Sequence, residues 1–320
     1  MDGEIYQTTL NSVMERISRL ENELRELRQL VLVQQPQLAK PIERPLSTPA
    51  NSNLSGRVVA GTDCWEVTCL GNFRLRRADR DVALCSSRRG QSILKYLLAS
   101  PGYAASPEAL IECFWPQVDP AAGTRSLQVA VHALRQALRG CGPNGSDETV
   151  LFRNNRYLLN PALSILQDVD SFRAAYQRGQ GAASAGCSIE TIQAFEEARA
   201  HYTGDFLVDS YEVWAAGHRL ALQDMRLSLL SQLGSLYSQG KEWEPATSCY
   251  HEILAVDCYR EDIYRQLMRC YAACGRSADV KQTYRACQQS LRRDLRLAPA
   301  PETRMLYQQL IQQSMLLEPH

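Results

Sequence analysis

The sequence predicts a mainly α protein in three parts: an N-terminal coiled-coil helix, a winged helix-turn-helix with small β-sheets, and a C-terminal all-α domain of tetratricopeptide-like repeats. Three observations carry this. An unbroken heptad fills residues 6–31, a succession of strands, three helices and a hairpin fills residues 64–160, and a period of 34 to 35 residues recurs after residue 237. The boundaries that follow are 1–33 for the coiled coil, 34–60 for a Pro-rich linker, 61–160 for the winged helix and 161–315 for the repeats.

The heptad comes first in the chain. Leu10, Val13, Ile17, Leu20, Leu24, Leu27 and Val31 alternate spacings of three and four. Leu10, Ile17, Leu24 and Val31 take position a; Tyr6, Val13, Leu20 and Leu27 take position d. Arg16 and Glu23 then fall at g, and Glu21 and Arg28 at e. A parallel pair brings Arg16 to the partner's Glu21 and Glu23 to the partner's Arg28, both attractive. The pattern fits a parallel homodimer; the other reading is an amphipathic helix folded back on its own protein. Pro36, Pro41, Pro45 and Pro49 among Ser, Asn and Thr then make a semi-extended tether.

From Cys64, WEVTCLGNFRL and DVALCSS read as strands around the charged turn RRADRD. Arg88–Ala99 reads as a helix presenting Ile93, Leu94, Leu97 and Leu98 and closed by Pro101-Gly102. Ser106 caps a second helix, with Pro107 at its first position and its end before Pro116. A third helix is predicted over 122–140. The segment CGPNGSDE reads as a flexible loop, and VLFR and RYLLN as a hairpin turning at Asn154-Asn155.

The third helix has two faces. At about 100° per residue, Leu127, Val131, Leu134 and Leu138 share one side and ask for a core. Arg125, Gln128, Val129, His132, Gln136 and Arg139 share the other, in a stripe roughly 100° wide. Such flat hydrogen-bonding and cationic side chains read base edges in a major groove, although a polar outer face also suits plain solvent. His132 fits either role equally.

Beyond Asn160 almost everything reads as helix. Tyr237 with Gly240-Lys241 aligns on Tyr271 with Gly275-Arg276, and Tyr250 on Tyr284, the spacing of paired tetratricopeptide helices. Tyr237, Trp243, Tyr250, Tyr264, Tyr271 and Tyr284 read as packing, and stacked repeats offer a groove for other proteins. Gly240-Lys241 lacks the rest of a phosphate-binding loop and sits in a turn between helices.

Composition limits the rest. Net charge is zero, but residues 57–160 hold 13 basic against 9 acidic side chains, about +4, while the segment after them is about −3. There is no 18-residue apolar run, and the acidic N-terminus does not suit a signal peptide, so a cytoplasmic protein with no membrane association is expected. The eleven cysteines then read as thiols, most of them small buried hydrophobes. No spacing among Cys, His, Asp and Glu suggests a metal site, no cofactor is implied, and no Gly-x-Ser-x-Gly or HExxH motif suggests an enzyme.

The stretches SRRGQSILKYLL, SPEALIECFWP, RSLQVAVHALRQALR and RYLL, followed by YTGDFL, YEVWAAGHR, REDIYRQLMRCYAACGR and PAPETRMLYQQL, stand in the order found in the SARP-type bacterial transcriptional regulators, which this chain resembles over roughly residues 64–312. That family joins an OmpR-type winged helix to a bacterial transcriptional activator domain of TPR-like repeats. The resemblance implies that Ser126, Gln128, Val129, His132 and Arg135 lie at or near the base-facing side of the recognition helix, with Arg125 at its start. Arg135, about 80° off the stripe's centre, suits a phosphate better than a base. Arg153, Asn155 and Arg156 would then lie in the wing, and Arg88 and Arg89 at a helix start that suits a phosphate. The segment 117–122 corresponds to one that can meet RNA polymerase in OmpR-type activators. The chain departs from the family at Ala133 and Gln136, where relatives often carry arginine, and at Asn154-Asn155, where they often have a Gly-rich tip. The expected function is a homodimeric regulator, an activator by analogy, that binds double-stranded DNA and gathers at the nucleoid, with the repeats serving oligomerisation or partner binding. The alternative is a protein–protein adaptor whose winged helix has weakened or lost DNA binding.

Overall fold

The computed structural model describes residues 64–84, 86–210 and 212–317. The heptad residues Leu10, Val13, Ile17, Leu20, Leu24, Leu27 and Val31, and the linker, lie outside them. The fold is mainly α with small sheets. It divides into two compact units: the first includes residues 77–164, the second joins residues 65–76 to residues 165–317.

In the first unit, α1 (Arg88–Ala99), α2 (Pro107–Phe114) and α3 (Pro120–Ala137) pack around Ile93, Leu94, Leu97, Leu110, Leu127 and Leu134, all buried. Each start is capped by a side chain. Ser87 accepts from Gly90, Ser106 from Ala109, and the Asp119 carboxylate from Ala121 and Ala122. Pro107 and Pro120 occupy first positions, where a missing N–H leaves no helical bond unmade. Gly123 lets α3 approach α2. A Cβ there would stand 2.7 Å from Cγ2 of Ile111, a branched atom with little room to retreat. The three-stranded sheet has the order β4 (Ala104–Ala105), β6 (Arg156–Leu159), β5 (Val150–Arg153). β5 and β6 are antiparallel with Arg153 opposite Arg156, and Asn154 and Asn155 turn at φ 52° and 55°. Two positive-φ central residues are what a tight hairpin requires, and asparagine tolerates them better than most side chains.

Three expectations change here. DVALCSS is not a strand beyond β3 (Arg80–Asp81), because the turn at Ala78-Asp79 leaves only two residues in register. CGPNGSDE is held rather than flexible. The Gly142 N–H donates to Ser146 O at 2.8 Å, Gly140 N–H to the Asp147 carboxylate at 2.8 Å, and the Arg77 guanidinium to the carbonyls of Gly140 and Gly142. The third helix spans 120–137 instead of 122–140, ended by the turn at Gly140 (φ 70°).

The second unit begins with a sheet that the helical reading of residues after 160 missed. β2 (Arg74–Arg77), β1 (Cys64–Thr68) and β7 (Ser164–Gln167) lie side by side in that order. Asp168 opens α4 (Asp168–Ser184), and its carboxylate accepts the N–H groups of Cys69 at 2.9 Å, Leu70 at 2.7 Å and Val169 at 2.8 Å. Hydrogen bonds to a charged group each contribute roughly 1.5–3 kcal/mol net. The segment 203–208 completes the grip: Thr203 Oγ1 donates to Leu70 O at 2.6 Å, Gly71 N–H to Asp205 O, and Leu207 N–H to Cys69 O. Trp65–Arg76 therefore groups with the repeats, where the predicted boundary set it with the winged helix.

Beyond the sheet, α4 pairs with α5 (Ser188–His201), α6 (Val213–Gln239) with α7 (Trp243–Val256), and α8 (Glu261–Ala273) with α9 (Ser277–Ser290), before α10 (Pro301–Leu317). The pairs share one template. Each first helix ends with an N–H closing five residues back: Cys187 to Ala182, Glu242 to Tyr237 and Arg276 to Tyr271. Just before these stand Gly186, Lys241 and Gly275, at φ 76°, 62° and 71°. Seven residues upstream, a Cβ on Gly179 or Gly234 would stand 2.4 Å from the Phe195 ring or 2.6 Å from the Tyr250 ring. In the third pair Met268 takes that place, and Tyr284 stacks on Tyr307 of α10 at 4.1 Å. The structural period between the second and third pairs is thus 34. Lys241, not Gly240, matches Gly275, so the glycine alignment at 35 is one residue out of register. The first pair escaped detection because the longer connection at residues 202–212 and a 27-residue α6, against 13 residues in α8, separate Gly186 from Lys241 by 55 residues.

Two outcomes test this packing. Lys241→Gly relieves a left-handed side chain and raises stability by about 0.5–1 kcal/mol, whereas Gly275→Ala lowers it by about 1 kcal/mol or more, both read from denaturant midpoints. Gly123→Val forces α2 from α3 and costs about 1–3 kcal/mol, read as faster amide exchange in those two helices.

Candidate nucleic-acid interface

α2, the turn at residues 115–119 and α3 form a helix-turn-helix, and the leucines determine which way α3 faces. Gly123, Leu127, Ala130, Val131 and Leu134 are buried. The opposite side exposes Thr124, Arg125, Gln128, Val129, His132 and Gln136. Val129 is 70% exposed, an apolar side chain held in water. The side chains of Arg125, Gln128, His132 and Gln136 have no hydrogen-bond or ion-pair partner among the described residues. They are available donors and acceptors on a rigid helix, so ordering them on contact costs only side-chain entropy.

Three of the expected reading residues are placed differently. The Arg135 Nε–H donates to the Val150 carbonyl at 2.8 Å and ties α3 to β5, so this half-buried side chain has a structural bond to satisfy. Ser126 is half-buried and its hydroxyl donates to Ala122 O at 2.9 Å, within the helix. Arg139 is exposed but lies past the end of α3, in the turn that Gly140 makes, so it does not extend the helical stripe. Conversely, Thr124 stands one turn before Gln128 on the same face, with its hydroxyl donating to Pro120 O at 2.9 Å. Its place at i−4 from Gln128 was the available signal.

The wing and α1 supply the flanks. Arg153 and Arg156 are exposed and opposite one another on the hairpin, with Arg156 Nη2 donating to Ala104 O at 3.3 Å. Asn155 is turned toward the start of α2. There Glu108's own N–H, Ser106 and Asn155 hold the Glu108 carboxyl below its usual value by favouring the anion. Phe152 is exposed on β5 and lies 4.8 Å from Tyr157, ring to ring. Arg88 and Arg89 open α1, both exposed. The Arg89 guanidinium stands 5.8 Å from the rings of both Phe114 and Trp115, a cation–π arrangement that fixes its direction.

No metal site accompanies these features among the described residues. No group of three or more His, Cys, Asp and Glu side chains is placed there to hold a metal ion. Burial pushes the Cys249 and Cys287 thiols up to about 12, which makes both inert, while Cys187 and Cys274 are exposed. Among the described residues no helix is long and apolar enough to cross a membrane.

Comparison with known proteins agrees with this architecture. Residues 167–311 match the family described as the bacterial transcriptional activator domain, a match that begins at the residue before Asp168. Over 278 residues the chain is 24% identical to transcriptional regulatory protein MoaR1 of Mycobacterium tuberculosis, covering 85% of this chain and 86% of that one. The identity and coverage are the same for MoaR1 of Mycobacterium bovis. Among solved structures, Mycobacterium tuberculosis EmbR in complex with a low-affinity phosphopeptide shares the fold, with a TM-score of 0.62 and 21% identity. That match covers 78% of this chain, which spans 65% of the length of the EmbR chain. Residues 167–311 thus match a bacterial transcriptional activator domain, a helix-turn-helix stands ahead of it, and over most of its length the chain is similar to transcriptional regulators, as expected from its resemblance to the SARP type.

Proposed function

We propose that the chain regulates transcription by reading the major groove of double-stranded DNA with α3, as an activator working at the nucleoid in the cytoplasm. The observation that carries this reading is the uncovered face of α3, where Arg125, Gln128, His132 and Gln136 present available polar groups beside Thr124 and Val129. Arg125 and Gln128 read base edges, and the Val129 side chain suits a thymine methyl. Arg88, Arg89, Arg153 and Arg156 hold phosphates on either side, with Asn155 setting the wing tip. The heptad from Leu10 to Val31 pairs two copies and raises the effective concentration of the second reading helix. The repeats receive other proteins, and the segment 117–122 between α2 and α3 meets RNA polymerase.

A second reading, an adaptor with weakened DNA binding, draws support from the cations that α3 does not offer. Arg135 is tied to Val150, Arg139 falls outside the helix, and residues 133 and 136 are Ala and Gln. Gel shift on the promoter of the chain's own gene at about 50 and 200 mM salt separates the two, because binding through phosphates weakens steeply between those values. Replacing Arg125 and Gln128 by Ala costs about 1–3 kcal/mol for each base pair no longer read and relaxes sequence preference. Binding by that variant indistinguishable from wild type refutes the reading face. Deleting residues 1–33 gives monomers in sedimentation and lowers apparent affinity; a truncated chain that stays dimeric moves the interface elsewhere.

A further inference from the structure

Arginine in the second unit is mostly engaged by the unit itself. Arg178 pairs with Glu197 at 2.6 Å, Arg226 with Glu252 at 3.2 Å and Arg260 with Asp262 at 2.6 Å. Arg219 donates to the carbonyls of Phe206, Leu207 and Ser210. One stretch departs from this habit. Lys281, Arg285, Arg292 and Arg296 are exposed, and their side chains have no hydrogen bond or ion pair among the described residues. The two carboxylates in the same stretch cannot neutralise them. Asp279 is taken by Arg276 at 2.7 Å and Asp294 by Arg293 at 2.8 Å.

The free cations are arranged, not scattered. Ala278, Lys281, Arg285 and Gln288 follow at steps of three, four and three residues, all exposed, in a stripe about 80° wide on the outside of α9, and exposed Arg292 comes four residues on. Lys281 to Arg292 spans about 16 Å at the helical rise. A π-helical turn, Leu291–Leu295, carries the stripe past the end of α9. Arg296 then closes it in a left-handed conformation (φ 57°) that a glycine would adopt at lower cost.

The composition of the stripe identifies its partner. A protein-binding hot spot needs buried aromatic or large aliphatic anchors, and the stripe has none; Leu295 and Leu297, the exposed apolar residues of this end, follow α9. Lysine, arginine, glutamine and a small alanine are instead what a sugar–phosphate backbone takes, since they reach phosphate oxygens and let the strand come close. We propose that this face of α9 is a second, sequence-independent contact for the backbone of double-stranded DNA, with Lys281, Arg285 and Arg292 each neutralising a phosphate. The proposal rests on the reading of the chain as a DNA-binding protein and adds a surface in the repeats to it.

The test uses the full chain and a promoter duplex, with affinity measured by fluorescence anisotropy from about 50 to 200 mM salt. The variant Lys281→Gln/Arg285→Gln/Arg292→Gln is compared with Arg178→Gln/Arg260→Gln/Arg276→Gln, which removes the same charge from paired arginines. The stripe variant's plot of log affinity against log salt is shallower than wild type by about 2.7, at 0.9 per phosphate, and its preference for promoter over scrambled duplex is unchanged. The control variant keeps the wild-type slope. Ala278→Glu, one exposed substitution, weakens binding at low salt without changing preference. Equal slopes for the two triple variants overturn the proposal, as does a stripe variant that keeps the wild-type slope but fails to activate transcription, which would assign the face to an acidic protein. A wild-type chain with no salt-dependent DNA binding instead fails the reading of α3 itself.

Discussion

A single carboxylate organises the second unit. Asp168 is the first residue of the first repeat helix, and it gathers backbone N–H groups from the far end of β1 as well as from its own helix. Two influences oppose one another there. Burial pushes its pKa up by disfavouring the charge, while the N–H groups of Leu70, Cys69 and Val169 and the nearby His201 pull it back. The three short N–H contacts are those of an ionised acceptor at a helix start, where the helix dipole adds to its stability. Together with the β1–β7 pairing and the bonds from residues 203–208, this anchor ties β1 and β2 to helices that begin almost a hundred residues later.

The winged-helix unit is organised differently. Its polar groups are divided between those that build the surface and those left for a partner. Arg77 is used on the turn after α3, Arg135 on the hairpin, Arg89 against Phe114 and Trp115. Of these, Arg135 fixes α3 to the wing. What remains on α3 is a compact set: Arg125, Gln128, His132 and Gln136, next to Thr124 and Val129. A surface with a single free arginine offers a partner more hydrogen-bond geometry than bulk charge, and so depends more on how rigidly the helix is held.

Much of this was legible in the sequence because local signals and global packing agree. Ser106-Pro107, Asn154-Asn155 and the Leu127–Leu134 periodicity each have one good structural solution, and each is found. What was not legible depends on partners distant in sequence. Nothing near Arg135 announces that Val150 will claim it, and no periodicity in β7 reveals that its partner is β1. The repeats illustrate both sides. Tyr237 and Tyr271 mark a true period, yet the eye follows glycine, and the left-handed position in the second pair is held by Lys241. The first pair, with Gly179, Gly186 and Phe195 at the same internal spacings, is displaced by a longer connection and a longer helix that no fixed period can cross.

That longer connection has a consequence for how the protein is made. β7 covers the open edge of β1, residues 203–208 hold the Cys69–Gly71 stretch that follows it, and both leave the ribosome roughly 90 to 140 residues later. At ordinary bacterial synthesis rates the delay is on the order of 5–30 s. Throughout it the nascent chain displays an unsatisfied strand edge flanked by Trp65, Val67 and Leu70, side chains that end fully or almost fully buried. The winged helix can mature in that interval from its own contacts. The N-terminal strands cannot, which makes this the stage at which a chaperone, or a misplaced edge-to-edge pairing, would find the protein.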